Sequence, residues 1–247
     1  MIITDAAEGI DFISHAHVNC YLVHDDDGII LVDAGLPRMW PMVLEALEKR
    51  GRTRRDLKAL VLTHGHFDHV GFALRAHREL GIPVYVHAED SSLAAHPYRY
   101  KPQQNRFLYP LTHPGSLPYL GRMALAGALV IKGIKDTRTL DTDAPLALPG
   151  NPIPLLAPGH TDGHCILHFP ERDAVISGDA LVTLDPYTGK SGPQIVAAAA
   201  TKDTHQAMTS LDTVVGTGAT TLLPGHGKPW TKGVDNAADH ARVVGEH

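Results

Sequence analysis

Apolar positions cluster along the chain in short runs that alternate with helical spacing. Residues 18–23 and 28–33 are two such runs, rich in β-branched and other large apolar residues, and His24-Asp25-Asp26-Asp27-Gly28 supplies a turn between them. They predict a pair of buried strands joined as a hairpin. Ala34-Gly35-Leu36-Pro37 then breaks the pattern, and Met42, Val43, Leu44, Ala46 and Leu47 recur at helical spacing up to a stop near Gly51. Residues 60–63 predict a strand that runs into His64-Gly65-His66-Phe67-Asp68-His69. Residues 70–80 predict a helix stopped by Gly81 and Pro83, and 84–87 a further strand. Regularity fails from there to about residue 137. Strands are expected again at 153–157, 165–169 and 174–177. A helix follows at 202–215, then a last strand at 220–223 ending in Pro224-Gly225-His226-Gly227, and a short closing helix at 237–244. Two strand-rich halves around an irregular middle predict an α/β layered domain with two sheets. One domain over 1–247 is expected, with an insertion at about 91–136.

Composition narrows the classes. With 247 residues, 43% hydrophobic and 20% charged, the chain is long and apolar enough for a large folded core. A net charge of -5 disfavours nucleic acid as a partner. No basic leader followed by a long apolar run opens the chain, so no signal peptide is expected. The most apolar stretch, 117–134, contains Arg122 and Lys132, so no membrane partner is expected either. Two cysteines, Cys20 and Cys165, fit a reduced compartment, and a cytoplasmic location is the expectation. The middle stands apart: residues 91–135 carry six basic side chains and no acidic one, with four of the seven tyrosines, Tyr98, Tyr100, Tyr109 and Tyr119.

Seventeen histidines point to metal. His64, His66, Asp68 and His69 put four nitrogen and oxygen donors within six residues, a strong site for a borderline divalent cation. In an extended loop residues 64 and 66 point the same way, and the turn into a helix brings Asp68 and His69 in from another side. Three more donors lie where strands should end, each beside a glycine that lets the backbone turn: His160 after Gly159, Asp179 after Gly178, and His226 after Gly225. No Gly-x-Ser-x-Gly elbow and no nucleotide-binding glycine loop is present.

In motif order, from the Asn19-Cys20-Tyr21-Leu22-Val23 strand and the Val32-Asp33-Ala34-Gly35 turn through all seven donors, the sequence strongly resembles the metallo-β-lactamase superfamily. The resemblance implies a four-layer αβ/βα sandwich, here with a helical insertion, and two divalent metal ions at one edge of the paired sheets. It implies that His64, His66 and His160 hold one ion, that Asp68, His69 and His226 hold the other, and that Asp179 bridges both with a hydroxide. Zinc is the usual metal, with iron or manganese in some members. The implied function is a dinuclear hydrolase whose bridging hydroxide attacks an ester, lactone, thioester or related bond of a small molecule, with Asp68 as the catalytic group that orients the nucleophile and moves its proton. The resemblance also offers Asp33 as a support for the metal loop, while His164, four residues after His160, is open between a place beside the ligands and a plain surface or core role.

The Asp179 bridge makes the site look like those of glyoxalase II and the lactonases rather than of the true β-lactamases. Only 21 residues follow His226, against the larger C-terminal part of glyoxalase II. Val182 stands where some lactonases have tyrosine, and Tyr187 is the nearest downstream. Alternatives are an iron-dependent oxidoreductase such as a persulfide dioxygenase, and β-lactam or phosphodiester hydrolysis. The insertion is expected to form a helical lid or dimer arm over the cleft. A helix at 120–134 would either pack on the core or make a homodimer contact.

Overall fold

The computed structural model describes residues 1–106 and 108–247. A seven-stranded sheet follows sequence order: β1 (Ile2–Ala7), β2 (Ile10–His15), β3 (Val18–Asp25), β4 (Gly28–Val32), β5 (Leu57–Val61), β6 (Val84–Val86) and β7 (Arg138–Thr139). The first four pair antiparallel and the last four parallel. A second sheet has the order β13 (Thr221–Pro224), β10 (Ala174–Gly178), β9 (Cys165–Phe169), β8 (Ile153–Leu156). The strands β11 (Val182–Leu184) and β12 (Ser191–Gln194) form a small ribbon of their own.

Strand parity sorts the side chains into three apolar layers. In β3, Tyr21 and Val23 face one way and Cys20 and Leu22 the other. The first pair packs with Leu167, Phe169, Ile176 and Leu223 between the two sheets. The second packs under α1 (Trp40–Lys49) and α3 (Ala73–Leu80), against Val43, Leu47 and Ala76. On the far side, Ile166, Val175 and Leu222 meet Leu211 and Val214 of α7 (Thr204–Val215) and Ala237 and Ala241 of α8 (Val234–Val244). Helices, sheet, sheet and helices stack in that order, the αβ/βα sandwich.

Local details depart from the sequence expectations. Strands β1, β2, β7, β11 and β12 were not expected. The helix expected at 70–80 is two pieces, α2 (Phe67–Val70) and α3, parted around Gly71, which lies so close to the carbonyl of Gly35 that a Cβ would collide with it. The middle segment folds as short helices: α4 (Ser91–Ala95), α5 (Tyr109–Thr112) and α6 (Leu117–Met123). The helix expected at 120–134 does not run through. Past α6 one wide turn continues to Ala128, Gly127 takes φ +101°, and the chain then returns to α4, where the Ile134 N–H donates to the Ala94 carbonyl at 2.9 Å.

Candidate metal centre

Strand ends converge at one edge of the sandwich. Thr63 and His64 follow β5, His160 lies in the connection from β8 to β9, Asp179 follows β10, and His226 follows β13. The edge is pinned across the sheets. The Cys165 N–H donates to the Thr63 carbonyl at 2.8 Å. The Asn19 amide and the Tyr21 hydroxyl donate to the Pro224 carbonyl at 2.7 and 2.6 Å, so β3 holds the loop that carries His226.

All seven expected side chains meet there, each at most 6% exposed. Their donor atoms form overlapping trios within 4.8 Å: His64, His66 and His160; His64, His69 and Asp179; Asp68, His69 and His226. Asp179 faces both sides, with Oδ1 3.4 Å from His69 Nε2 and Oδ2 3.3 Å from both His160 Nε2 and His226 Nε2. His226 Nε2 is 3.4 Å from Asp68 Oδ2.

Partners behind the rings decide which nitrogen points inward. Thr63 Oγ1 donates to Asp33 and therefore accepts from His64 Nδ1 at 3.1 Å. His69 Nδ1 donates to Asp33 Oδ2 at 2.8 Å. Thr201 Oγ1 donates to the Val196 carbonyl and accepts from His160 Nδ1 at 3.1 Å. His226 Nδ1 donates to the His17 carbonyl at 2.7 Å. Four rings thus present Nε2 to the cluster, the tautomer a cation requires. His66 presents Nδ1, 2.9 Å from His160 Nε2. His164 accepts the Asp179 N–H on Nε2 at 2.9 Å, which fixes the backbone of the central carboxylate. Gly225 is required by packing: a Cβ there would overlap Asp179 Oδ1 and come within 2.8 Å of His69 Cε1.

The donors fit a divalent cation. Imidazole and carboxylate ligands at roughly 2.0–2.2 Å from a tetrahedral ion stand about 3.3–3.6 Å apart, the spacing of the carboxylate–imidazole contacts of Asp179 and Asp68. The inward atoms His64 Nε2, His69 Nε2 and Asp179 Oδ1 are buried without a hydrogen-bond partner. Such atoms are costly unless something positive meets them. The protonation pattern has the same logic. Burial pushes His66, His160 and His164 down to about 3, and His64 well below its ordinary value. At His226 burial is outweighed by Asp179 and Asp68, which hold the ring up at about 10; Asp179 and Asp33 likewise keep His69 well above the usual range. Burial would raise Asp179, yet His226 and His69 hold it well below the carboxylate range. Without cations, two imidazolium groups supply the positive charge this cluster demands.

Sequence reasoning missed Asp90, Thr63, Thr201 and the His17 carbonyl, while the tyrosines it singled out in the 91–136 insertion include Tyr100, which does reach the site. Asp90 is buried and accepts from the Gly65 N–H at 2.7 Å, Thr161 Oγ1 at 2.8 Å and the Gly163 N–H at 2.9 Å, tying the 64–69 loop to the 160–164 loop. The ring of Tyr100 lies 4.2 Å from that of His66, and its hydroxyl meets that of Tyr187 at 3.2 Å.

A two-sheet sandwich with a buried His/Asp cluster at its edge defines a class, and the sequence matches the Metallo-beta-lactamase superfamily over residues 15–226. The chain belongs to that family. The probable metallo-hydrolase YflN of Bacillus subtilis (strain 168) is 26% identical over 236 residues, 92% of this chain and 87% of YflN. Among solved structures, TTHA1623 in a di-iron-bound form is 26% identical with a TM-score of 0.64, over 92% of this chain and 94% of that one. The metallo-beta-lactamase family protein TTHA1429 from Thermus thermophilus shares the fold at 23% identity and TM-score 0.67, over 94% and 77% of the two chains. Among the described residues no helix is long and apolar enough to cross a membrane.

Proposed function

We propose that the protein is a hydrolase of small-molecule esters, lactones or thioesters that works with two divalent cations. His64, His66 and His160 would hold one and Asp68, His69 and His226 the other, with Asp179 shared. The observation that carries the reading is the position of Asp179, whose carboxylate lies 3.3 Å from His160 of the first set and 3.4 and 3.3 Å from His69 and His226 of the second. Two cations bound there supply an activated water and a Lewis acid for the scissile carbonyl. The chain's residues do the positioning. Asp33, Thr63, Thr201 and the His17 carbonyl lock four rings with Nε2 inward. His164 keeps the Asp179 carboxylate between the two sets of donors. Asp68 is the most exposed of the seven, at 6%, with Oδ2 3.4 Å from His226 Nε2, and its carboxylate is the group to orient the nucleophile and move its proton.

Zinc suits the imidazole and carboxylate donors, and so do iron and manganese. The likeness to a protein solved with two irons makes iron a candidate occupant; the second reading is an iron-dependent oxidoreductase on the same fold. Elemental analysis of the purified protein, followed by a panel of ester, lactone, thioester, β-lactam and phosphodiester substrates, separates the two. The expected result is two ions per chain and turnover of carboxylic substrates, with Asp68→Ala lowering kcat by roughly 100-fold or more. One iron per chain with oxygen consumption on thiols, and no hydrolysis, would sink the hydrolase reading.

A further inference from the structure

Beside the cluster, walled by the 91–136 segment, runs a groove of about 430 Å³. This is within the range of small-molecule sites, roughly 300–1,000 Å³. Its walls are mainly hydrocarbon and aromatic ring, from Phe67, Tyr98, Tyr100, Leu120, Met123 and Tyr187, with Arg106 as the one charged side chain among the described residues of the lining. The groove adjoins the cluster. Phe67 sits in the chain between His66 and Asp68, and its ring stacks on Tyr98 at 5.6 Å. Tyr100 packs on His66 and also lines a second, polar chamber that reaches His66 and His160. A molecule reacting at the cluster therefore has this apolar channel directly alongside.

The polar tips of the lining tyrosines are already engaged by the protein. Tyr98 Oη donates to the Ala128 carbonyl at 2.8 Å and accepts the Ile131 N–H at 2.8 Å. Tyr100 and Tyr187 share a hydrogen bond. Arg106 lies over the Tyr100 ring at 4.4 Å and donates to the Tyr98 carbonyl at 3.1 Å. What these groups leave to a ligand is mainly ring faces and aliphatic carbon.

We propose that this groove takes the acyl body of the substrate, which makes medium-chain or aryl-substituted acyl esters, lactones and thioesters the substrate class. The proposal rests on the hydrolase reading above. In R–CO–OR′ + H₂O → R–COOH + R′–OH, the water oxygen bonds to the acyl carbon, the bond from that carbon to the OR′ oxygen breaks, R lies along Phe67, Leu120 and Met123, and the proton lost by water leaves on the OR′ oxygen. Each methylene buried there adds roughly a fourfold gain in affinity.

Binding and turnover test the two ideas separately. Metal-loaded protein is titrated calorimetrically with sodium octanoate and with acetate, and assayed on 4-nitrophenyl octanoate and acetate. Octanoate should bind at least tenfold tighter than acetate, and the octanoyl ester should show the higher kcat/KM. Ala124→Trp fills the groove from a half-exposed position on its wall, and Leu120→Asp puts a charge into it. Either should shrink the binding preference below threefold, with thermal midpoints confirming a folded chain. Equal affinity for the two acids, or an octanoate preference that both variants keep, overturns the groove even if esters are hydrolysed. Tight octanoate binding lost in the variants supports it even where no ester turns over, an outcome that would remove the hydrolase reading alone.

Discussion

A single carboxylate at Asp90 accepts three donors from the two loops that carry His64, His66 and His160, yet it touches none of those rings as a partner. Burial pushes its carboxyl above the usual range, against the pull of the Thr161, Gly163 and Gly65 donors. Removing it leaves two backbone N–H groups and a hydroxyl buried without an acceptor, at about 1–3 kcal/mol each before relaxation. Asp90→Ala should therefore cost a few kcal/mol of stability, and it should loosen the cation site by roughly 10–100-fold, the effect of losing a group that orients metal ligands. Chelator competition on the purified variant reads the second effect. Unchanged metal affinity in a destabilised chain would show that Asp90 serves the fold alone. The seven donor residues were legible in the sequence because four of them crowd into residues 64–69 and the other three each follow a glycine near a strand end. Asp90 carries no such mark. The His17 carbonyl that orients His226 carries none at all, because a backbone oxygen has no sequence signature.

Elements with a single strong signal were likewise legible. Residues 28–33, 165–169 and 174–177 read as strands because they are apolar on both faces, as strands between two layers must be. What failed has specific causes. Strand β2 buries Asp11 in mid-strand, with Arg50 donating to its carboxylate at 3.0 Å, so its pattern looks broken. Strand β1 carries an irregularity between Ile3 and Ala7, with Asp5 at φ +51°. Pro193 argues against β12, and the structure confines that strand to a two-stranded ribbon where a missing N–H is tolerated. Helix α7 began close to its expected place because Asp203 caps it, accepting the Gln206 N–H at 2.9 Å. Asp203→Ala should lower stability by about 1 kcal/mol, and the thermal midpoint by about 2–4 °C for a chain this long. A midpoint that does not move would mean the cap is replaced by water without loss.

At the scale of the whole molecule, two layers of helix and two sheets enclose an edge packed with imidazole, and that makes the metal-free fold acid-sensitive. His66, His160 and His164 are held neutral down to about 3 by burial, and His64 lower than its ordinary range. In the unfolded chain each titrates near ~6.5. Below that pH the unfolded state takes up protons that the folded state refuses, so stability falls by up to about 1.4 kcal/mol per pH unit for each ring. His69 and His226 have the opposite sign. Burial opposes their charge, but Asp179 and its neighbours raise both, so their contribution is full below ~6.5 and fades only as pH climbs toward the folded value of about 10 at His226. Asp179 is depressed, so what it adds is present above ~3.9 and is lost only in stronger acid. Between pH 7 and 5 the four neutral rings outweigh the rest. Chelator-treated protein should lose roughly 10 °C or more of thermal midpoint over that interval, and lose stability again above neutrality as His69 and His226 deprotonate. Added zinc should raise the midpoint at pH 7 and raise it far less at pH 5, where protons compete for the same nitrogens. Melting curves that coincide at pH 5 and 7, with and without zinc, would mean that the imidazoles at this edge do not sit buried together as drawn.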